Sequence, residues 1–283
     1  MIVHSAPRKD LKTMRVGLLA GSGSLPGQIL ASLRHQGHDV VTIMLGDAQP
    51  VLPNASICPL DRPGRIFKIL RTHEVTKIIM IGRLERPVVS HLRPDLTGWR
   101  ILPKIIRGLR QGDDGLLRSI AAIFEAEGFE VLNPLSFLSG LSLAAGTIGT
   151  PSNGDLEDVA RGLAMLDDLS AHDVGQACIV RHGNIIAIEA AEGTDGMLER
   201  AAGLSHGRSG RQKQPSGVLV KMPKKNQDMR FDVPTIGPRT MELAAAAGLS
   251  GICVGSNGFM LAEPDESKAA LTAHDLFLMV KEL

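Results

Sequence analysis

The sequence predicts two α/β domains, the first built on a parallel sheet and the second on a mixed one. Three observations carry this. Apolar runs and amphipathic stretches alternate over residues 15–134. A segment dominated by Gly, Ser, Thr and Ala follows, and beyond it two strand-like runs meet across a two-residue turn. Strands alternating with helices imply parallel pairing with helices on both faces, whereas a tight turn between strands imposes antiparallel pairing. At 283 residues, 43% hydrophobic and 22% charged, the chain has the length and composition of two ordinary globular domains.

The elements follow in order. RVGLLA is a short buried strand, and Leu25 to Gln36 reads as a helix with Pro26 in its first turn and Gly37 to end it. VVTIM is the second strand, Pro63 to His73 the second helix, and KIIMIG the third strand. In DGLLRSIAAIFEAEG the side chains of Leu116, Leu117, Ile120, Ile123 and Phe124 form a helical stripe closed by Gly128, and FEVL is a further strand. SGLSLAAGTIGTPSNGD marks a linker, with Gly140, Gly146 and Gly149 supplying backbone freedom. DLEDVARGLAMLDDLS is amphipathic through Leu156, Val159, Ala160, Leu163 and Leu166. ACIVR and NIIAIEA flank His182-Gly183, a hairpin signal, and SGVLVKM, GICVG and GFMLAE add strands before a terminal helix from about Asp265. The boundaries are 1–14 for a disordered extension, 15–139 for a Rossmann-like N-terminal domain, 140–153 for the linker and 154–283 for the second α/β domain.

Composition narrows the function. Lys and Arg number 31 against 30 Asp and Glu, with one Trp and no Tyr. The chain thus lacks both the basic surplus and the stacking rings of a nucleic-acid binder. Cys58, Cys178 and Cys253 lie far apart without a CxxC pair, which argues against a disulfide framework or zinc ribbon; Cys178 and Cys253 sit in apolar runs and read as reduced core thiols, which suits a cytoplasmic setting. No apolar run reaches the ~18 residues of a membrane span. The first 14 residues lack the apolar core of a signal peptide. No long basic amphipathic helix stands out, so membrane contact is expected to be peripheral at most.

Four constellations bear chemistry. In GSGSLPG, the residues Gly21, Ser22, Gly23 and Ser24 precede a helix and could offer backbone N–H groups to a phosphate. The third glycine comes one residue late for the dinucleotide fingerprint, and no acidic residue ends the second strand, so nicotinamide is disfavoured. Tight packing alone would also explain the glycines. GRLERP offers Arg83 or Arg86 as a phosphate grip at the end of the third strand, or else a solvated turn, and QGDDG sets Asp113 and Asp114 where helix capping accounts for at least one. Glu189, Glu192 and Asp195 lie within seven residues, which suits magnesium and equally a helix cap with solvated neighbours. Finally, Pro223, Pro234 and Pro238 stiffen a loop holding Lys221, Lys224, Lys225, Asp228, Arg230 and Asp232. Its cations could neutralise a diphosphate while a carboxylate binds metal or positions water; a solvated loop is the plainer reading.

GSGSLP, GRLERP, GDDG, DVGQ, EGTD and KMPKKNQDMRFDVPTIGPRT, in this order from Val16 to the end of the chain, resemble the LpxI family, the UDP-2,3-diacylglucosamine pyrophosphatases of lipid A biosynthesis. The resemblance implies magnesium-dependent hydrolysis of the diphosphate of UDP-2,3-diacylglucosamine to UMP and 2,3-diacylglucosamine 1-phosphate, or lipid X. It further implies that water attacks the phosphorus nearer the sugar and that the C-terminal domain is the catalytic one. Carried onto this sequence, the resemblance implies substrate contacts at Gly21, Ser22, Gly23, Ser24, Arg83, Asp113 and Asp114, and further along at Gln176, Thr194, Lys221, Lys224, Gln227 and Arg230. It places the essential aspartate in the lysine-proline loop, at Asp228 or Asp232, with Asp228 favoured because it follows the Lys-rich turn. Asp228 joins Glu189, Glu192 and Asp195 as the expected Mg2+ ligands, and no nicotinamide or flavin is expected. A homodimer and a peripheral place on the inner face of a Gram-negative inner membrane are compatible with it. The alternatives are a nucleotide-dependent oxidoreductase and a non-enzymatic sugar-nucleotide or lipid carrier.

Overall fold

The structure, a computed structural model, describes residues 13–83, 94–109, 112–138, 144–172, 174–206, 215–223, 228, 230, 233–256 and 259–282; the side chains at 109, 112–114, 171 and 204–206 lie outside that description. The described residues cluster into two compact units. One comprises residues 13–138 together with Asp228 and Arg230, and the other residues 144–223 and 233–282.

The N-terminal unit is a parallel sheet of order β3-β2-β1-β4-β5. Its strands are β1 (Arg15–Ala20), β2 (Asp39–Leu45), β3 (Ser56–Cys58), β4 (Lys77–Ile81) and β5 (Glu130–Val131). β1 sits at the centre, with Val16 registered on Val40 to one side and Lys77 to the other, and it is buried from Val16 onward because both neighbours and both faces cover it. The helices are α1 (Leu25–His35), α2 (Pro63–Thr72), α3 (Leu96–Leu109) and α4 (Gly112–Ala126). In a chain with seven Phe, three meet in this core: Phe67 lies edge-on to Phe124 at 5.1 Å and stacks on Phe129 at 6.0 Å. The chain runs from β1 outward to β2 and β3, then crosses to β4 on the other side. The sheet therefore reverses direction between β1 and β4, where α/β folds bind ligands.

The C-terminal unit holds a six-stranded sheet of order β6-β13-β11-β9-β7-β8. Its strands are β6 (Gly146–Ile148), β7 (Ala177–Arg181), β8 (Asn184–Ile188), β9 (Val218–Lys221), β11 (Gly251–Gly255) and β13 (Phe277–Lys281), while β10 (Thr235–Ile236) and β12 (Met260–Leu261) form a small parallel pair. β9, β11 and β13 run parallel, whereas β6 and β7 are antiparallel to their partners, so the sheet is mixed as expected. The β7–β8 turn takes positive φ at His182 (49°) and Gly183 (75°), the geometry a two-residue hairpin demands, and Asp158 accepts from both their amides at 3.0 and 2.7 Å. One face of the sheet packs Ile179, Leu219, Ile252 and Leu278 against Met197, Met241 and Phe259, from α6 (Gly193–His206), α7 (Pro238–Ala246) and the segment before β12. The other face packs Cys178, Val220 and Cys253 against Val159 of α5 (Asn153–Leu169).

Several elements differ from the sequence reading, which names neither β3 nor β10. Gly146–Ile148, placed in the linker, is instead an edge strand paired with β13. The expected terminal helix stops at Ala273 as α8 (Pro264–Ala273), and the chain turns through Asp275 (φ 51°) into β13. α3 has no counterpart in the sequence reading; Gly98 and Pro103 interrupt its helical pattern. Pro103 is tolerated on the exposed side.

Candidate active site

In the N-terminal unit the glycine loop and the Arg83 turn meet at the β1/β4 reversal. Ser22 and Arg83 exchange backbone hydrogen bonds at 2.8 and 2.9 Å, and the Gly21 amide donates to Ile81 O at 2.8 Å. This approach is why the glycines are there: a Cβ on Gly21 would lie 2.4 Å from Arg83 O, and one on Gly82 (φ 103°) would lie 2.7 Å from the Gly21 carbonyl carbon. The same bonds revise the expected phosphate cradle. The amides of Gly21, Ser22 and Gly23 donate to Ile81, Arg83 and Gln49 carbonyls, so they are spent on the backbone. Ser24 and the first turn of α1 are what could face an anion, and the Arg83 side chain is exposed. Asp113 and Asp114 lie in the first turn of α4, with side chains outside the described set; Arg86 also lies outside the described residues.

In the C-terminal unit, four residues named separately from the sequence come together. β8 delivers Glu189, β9 ends on Lys221, α6 begins at Gly193 and presents Thr194, and Gln176 precedes β7. Glu189, Lys221 and Thr194 are buried, at 6, 7 and 9% exposure. Lys221 Nζ donates to Thr194 Oγ1 at 2.8 Å and to Thr235 O at 3.3 Å, Thr194 Oγ1 donates to Glu189 Oε1 at 2.9 Å, and the Gln176 amide donates to Glu189 Oε2 at 3.1 Å. Burying an ammonium and a carboxylate is tolerable only because a hydroxyl joins them. Gln176 Oε1 is buried without a hydrogen-bond partner among the described residues, an acceptor left over for a donor not supplied by them. A cation at the carboxyl end of a parallel strand, beside a helix N-terminus, suits a phosphate.

The lysine-proline loop is described at Asp228 and Arg230, which cluster with the N-terminal unit. Arg230 grips the Asp228 carboxylate in a fork, Nε to Oδ1 at 2.9 Å and Nη2 to Oδ2 at 2.7 Å, and its Nη1 donates to Glu125 of α4 at 2.6 Å. These hydrogen bonds hold the Asp228 carboxyl below the usual carboxylate range and push the Arg230 guanidinium up. Asp232, Lys224, Lys225 and Gln227 lie outside the described residues.

The expected metal set is not assembled. Glu189 serves Thr194 and Gln176. Glu192 pairs with Arg200 at 2.7 Å, a bond that lowers its pKa. Asp195 pairs with Arg239 at 3.1 Å and Asp228 with Arg230. Among the described residues no group of three or more His, Cys, Asp or Glu could hold a metal ion. Glu125, Arg200 and Arg239 went unnoticed in the sequence because each is an ordinary charge on an amphipathic helix; only the fold shows what it faces.

Fold and sites together define a two-unit α/β protein with a cationic strand end in its mixed sheet and a glycine-bridged reversal point in its parallel sheet. The chain belongs to the LpxI family: the family model for the LpxI N-terminal domain matches residues 15–141 and that for the LpxI C-terminal domain residues 144–279. It is 37% identical over 272 residues, covering 94% of this chain and 96% of the relative, to the UDP-2,3-diacylglucosamine pyrophosphatase LpxI of Caulobacter vibrioides.

Proposed function

We propose that this chain hydrolyses the diphosphate of UDP-2,3-diacylglucosamine to UMP and 2,3-diacylglucosamine 1-phosphate. The carrying observation is the likeness to a protein named for that activity across nearly the full length of both chains, through both domains. In the reaction a water oxygen bonds to the phosphorus nearer the sugar as the P–O bond to UMP breaks, and the proton passes to solvent. Lys221 supplies positive charge against the diphosphate and the developing charge on the leaving UMP. Asp228 is ionised at neutral pH and a weak proton acceptor, because Arg230 stabilises its carboxylate. Its role is therefore to hold charge and geometry rather than to deprotonate water. Magnesium enters the proposal in a narrower form. The described carboxylates form no cage, so an ion would arrive mainly on the substrate's own phosphates, as is common for this cation.

The test uses purified protein with UDP-2,3-diacylglucosamine in 18O-labelled water, with and without EDTA. UMP should appear, the label should reside in the sugar phosphate, and chelation should stop turnover until magnesium is restored. Substrate recovered intact, with binding, would make the protein a carrier; label in UMP would move the attack to the other phosphorus. Asp228→Ala should bind substrate and lose most turnover, and normal turnover in this variant would remove Asp228 from the mechanism.

A further inference from the structure

The outward face of α3 is unlike the rest of the surface. The helix is pinned to the N-terminal unit from its start: Asp95 accepts from the Gly98 amide at 2.7 Å and from the Gly64 amide of α2 at 2.9 Å. Ile101 and Ile105 then pack inward against the Phe67 cluster. With that side fixed, at 3.6 residues per turn Ile106, Trp99, Pro103 and Leu96 fall within an arc of about 80° on the outer side, and Arg107, Arg100 and Lys104 occupy about the next 60°. Leu96 is 91% exposed and Trp99 63%, the two most exposed large apolar side chains among the described residues. No Asp or Glu occurs between Leu96 and Leu109. Alongside runs an open cleft of about 580 Å³ lined by Lys68, Arg71 and Arg100, with Glu127 set against these three cations and pairing with both arginines.

We propose that this face docks the protein on an anionic lipid bilayer. Charge complementarity selects the occupant. An apolar ridge of Leu, Trp, Ile and Pro beside a row of cations has the cross-section of a helix lying in the headgroup layer, the ridge among the upper acyl chains and the cations at the phosphates. The cleft adds a place for one headgroup beyond the helix itself. The inference stands on the helix alone and does not need the proposed reaction. A diacylated substrate would nonetheless be met where this face puts the enzyme.

Trp99 is the sole tryptophan and there is no tyrosine, so the intrinsic fluorescence of the full chain reports this face directly. The experiment titrates the protein with vesicles of phosphatidylcholine alone or with equal parts phosphatidylglycerol, following Trp99 emission and co-sedimentation. Binding should require the anionic lipid, shift Trp99 emission to the blue and weaken with salt. Lys104→Gln with Arg107→Gln should weaken binding about 30-fold, at roughly fivefold per basic residue. Leu96→Asp should weaken it further, and circular dichroism should show both variants folded. The proposal is overturned by equal binding to neutral vesicles, by no binding, by binding that leaves Trp99 emission or the variants unaffected, or by a dimer that Leu96→Asp dissolves while no vesicle is bound.

Discussion

Removing only the Thr194 hydroxyl should expose how much the buried network contributes. Thr194→Val keeps the side-chain volume. It leaves Glu189 Oε1 without its donor and Lys221 Nζ without its 2.8 Å acceptor. Each bond involves a charged group, worth about 1.5–3 kcal/mol net, so the two together bound the loss at about 3–6 kcal/mol. Lys221 keeps the Thr235 carbonyl and Glu189 keeps the Gln176 amide, which places the effect near the lower end, about 3 kcal/mol. For a unit of this size that is a fall in Tm of roughly 10 °C. Thr194→Ser keeps the hydroxyl and loses a methyl group, so it should cost about 1 kcal/mol, or roughly 3 °C. The assay is thermal unfolding by circular dichroism for wild type, both variants, Glu189→Gln and the Glu189→Gln/Thr194→Val pair, whose effects should be non-additive by about 1 kcal/mol or more. A valine variant that melts with wild type, or a serine variant that falls as far as valine, would show that the hydroxyl does not tie Lys221 to Glu189.

Other outcomes follow from the same geometry. Gly21→Ala drives a methyl into Arg83 O and should destabilise the N-terminal unit by about 3 kcal/mol, seen in the Trp99 unfolding curve; an unmoved midpoint refutes the close approach. Burial pushes the Cys178 thiol up to about 12 and the Cys253 thiol up to about 11, and raises Cys58 as well, so native protein at pH 8 should leave all three unreacted with a thiol reagent and expose them only in denaturant. A fast-reacting thiol in the native state contradicts this. Folding lowers the Asp228 carboxyl, so its contribution is present above the unfolded carboxyl value near pH 4 and is lost as pH falls through the folded one. Wild type should therefore exceed Asp228→Asn in stability at pH 7, with the gap closing as pH falls through the lowered folded value; a gap independent of pH removes the ionised pair as its cause.

What the sequence made legible was set by local physics. The strand-helix alternation up to Pro134, the helix stop at Gly37 and the His182-Gly183 hairpin rest on periodicity and turn chemistry, and the structure has them all. α3 escaped because its breaker residues are tolerated by context: Gly98 is buried beneath Pro94, where a side chain would clash, and Pro103 faces outward. FLMVK at the end of the chain was read as helix because a run of five apolar and basic residues has no period of its own; pairing with β11 decides it. The candidate site was legible as residue types and not as partnerships. Three carboxylates within seven residues look like one ligand set, yet Glu189 turns inward from the end of β8 while Glu192 and Asp195 turn to arginines on α6 and α7. Sequence spacing fixes neighbours along the chain, and sheet and helix directions fix neighbours in space.

The pairing of β6 with β13 has a consequence for how the C-terminal unit can be handled as a piece of polypeptide. Its first strand lies against its last, Gly146 opposite Val280 and Ile148 opposite Leu278, one strand spacing of about 4.8 Å apart. The unit is thus a loop of chain whose two ends already meet. A short bridge from the end of β13 back to β6, with new termini opened at the His182-Gly183 turn, would preserve every strand pairing in the sheet but the β7–β8 connection. Such a permuted unit should fold, and it would carry Lys221, Thr194, Glu189 and Gln176 on a scaffold small enough to measure their coupling alone.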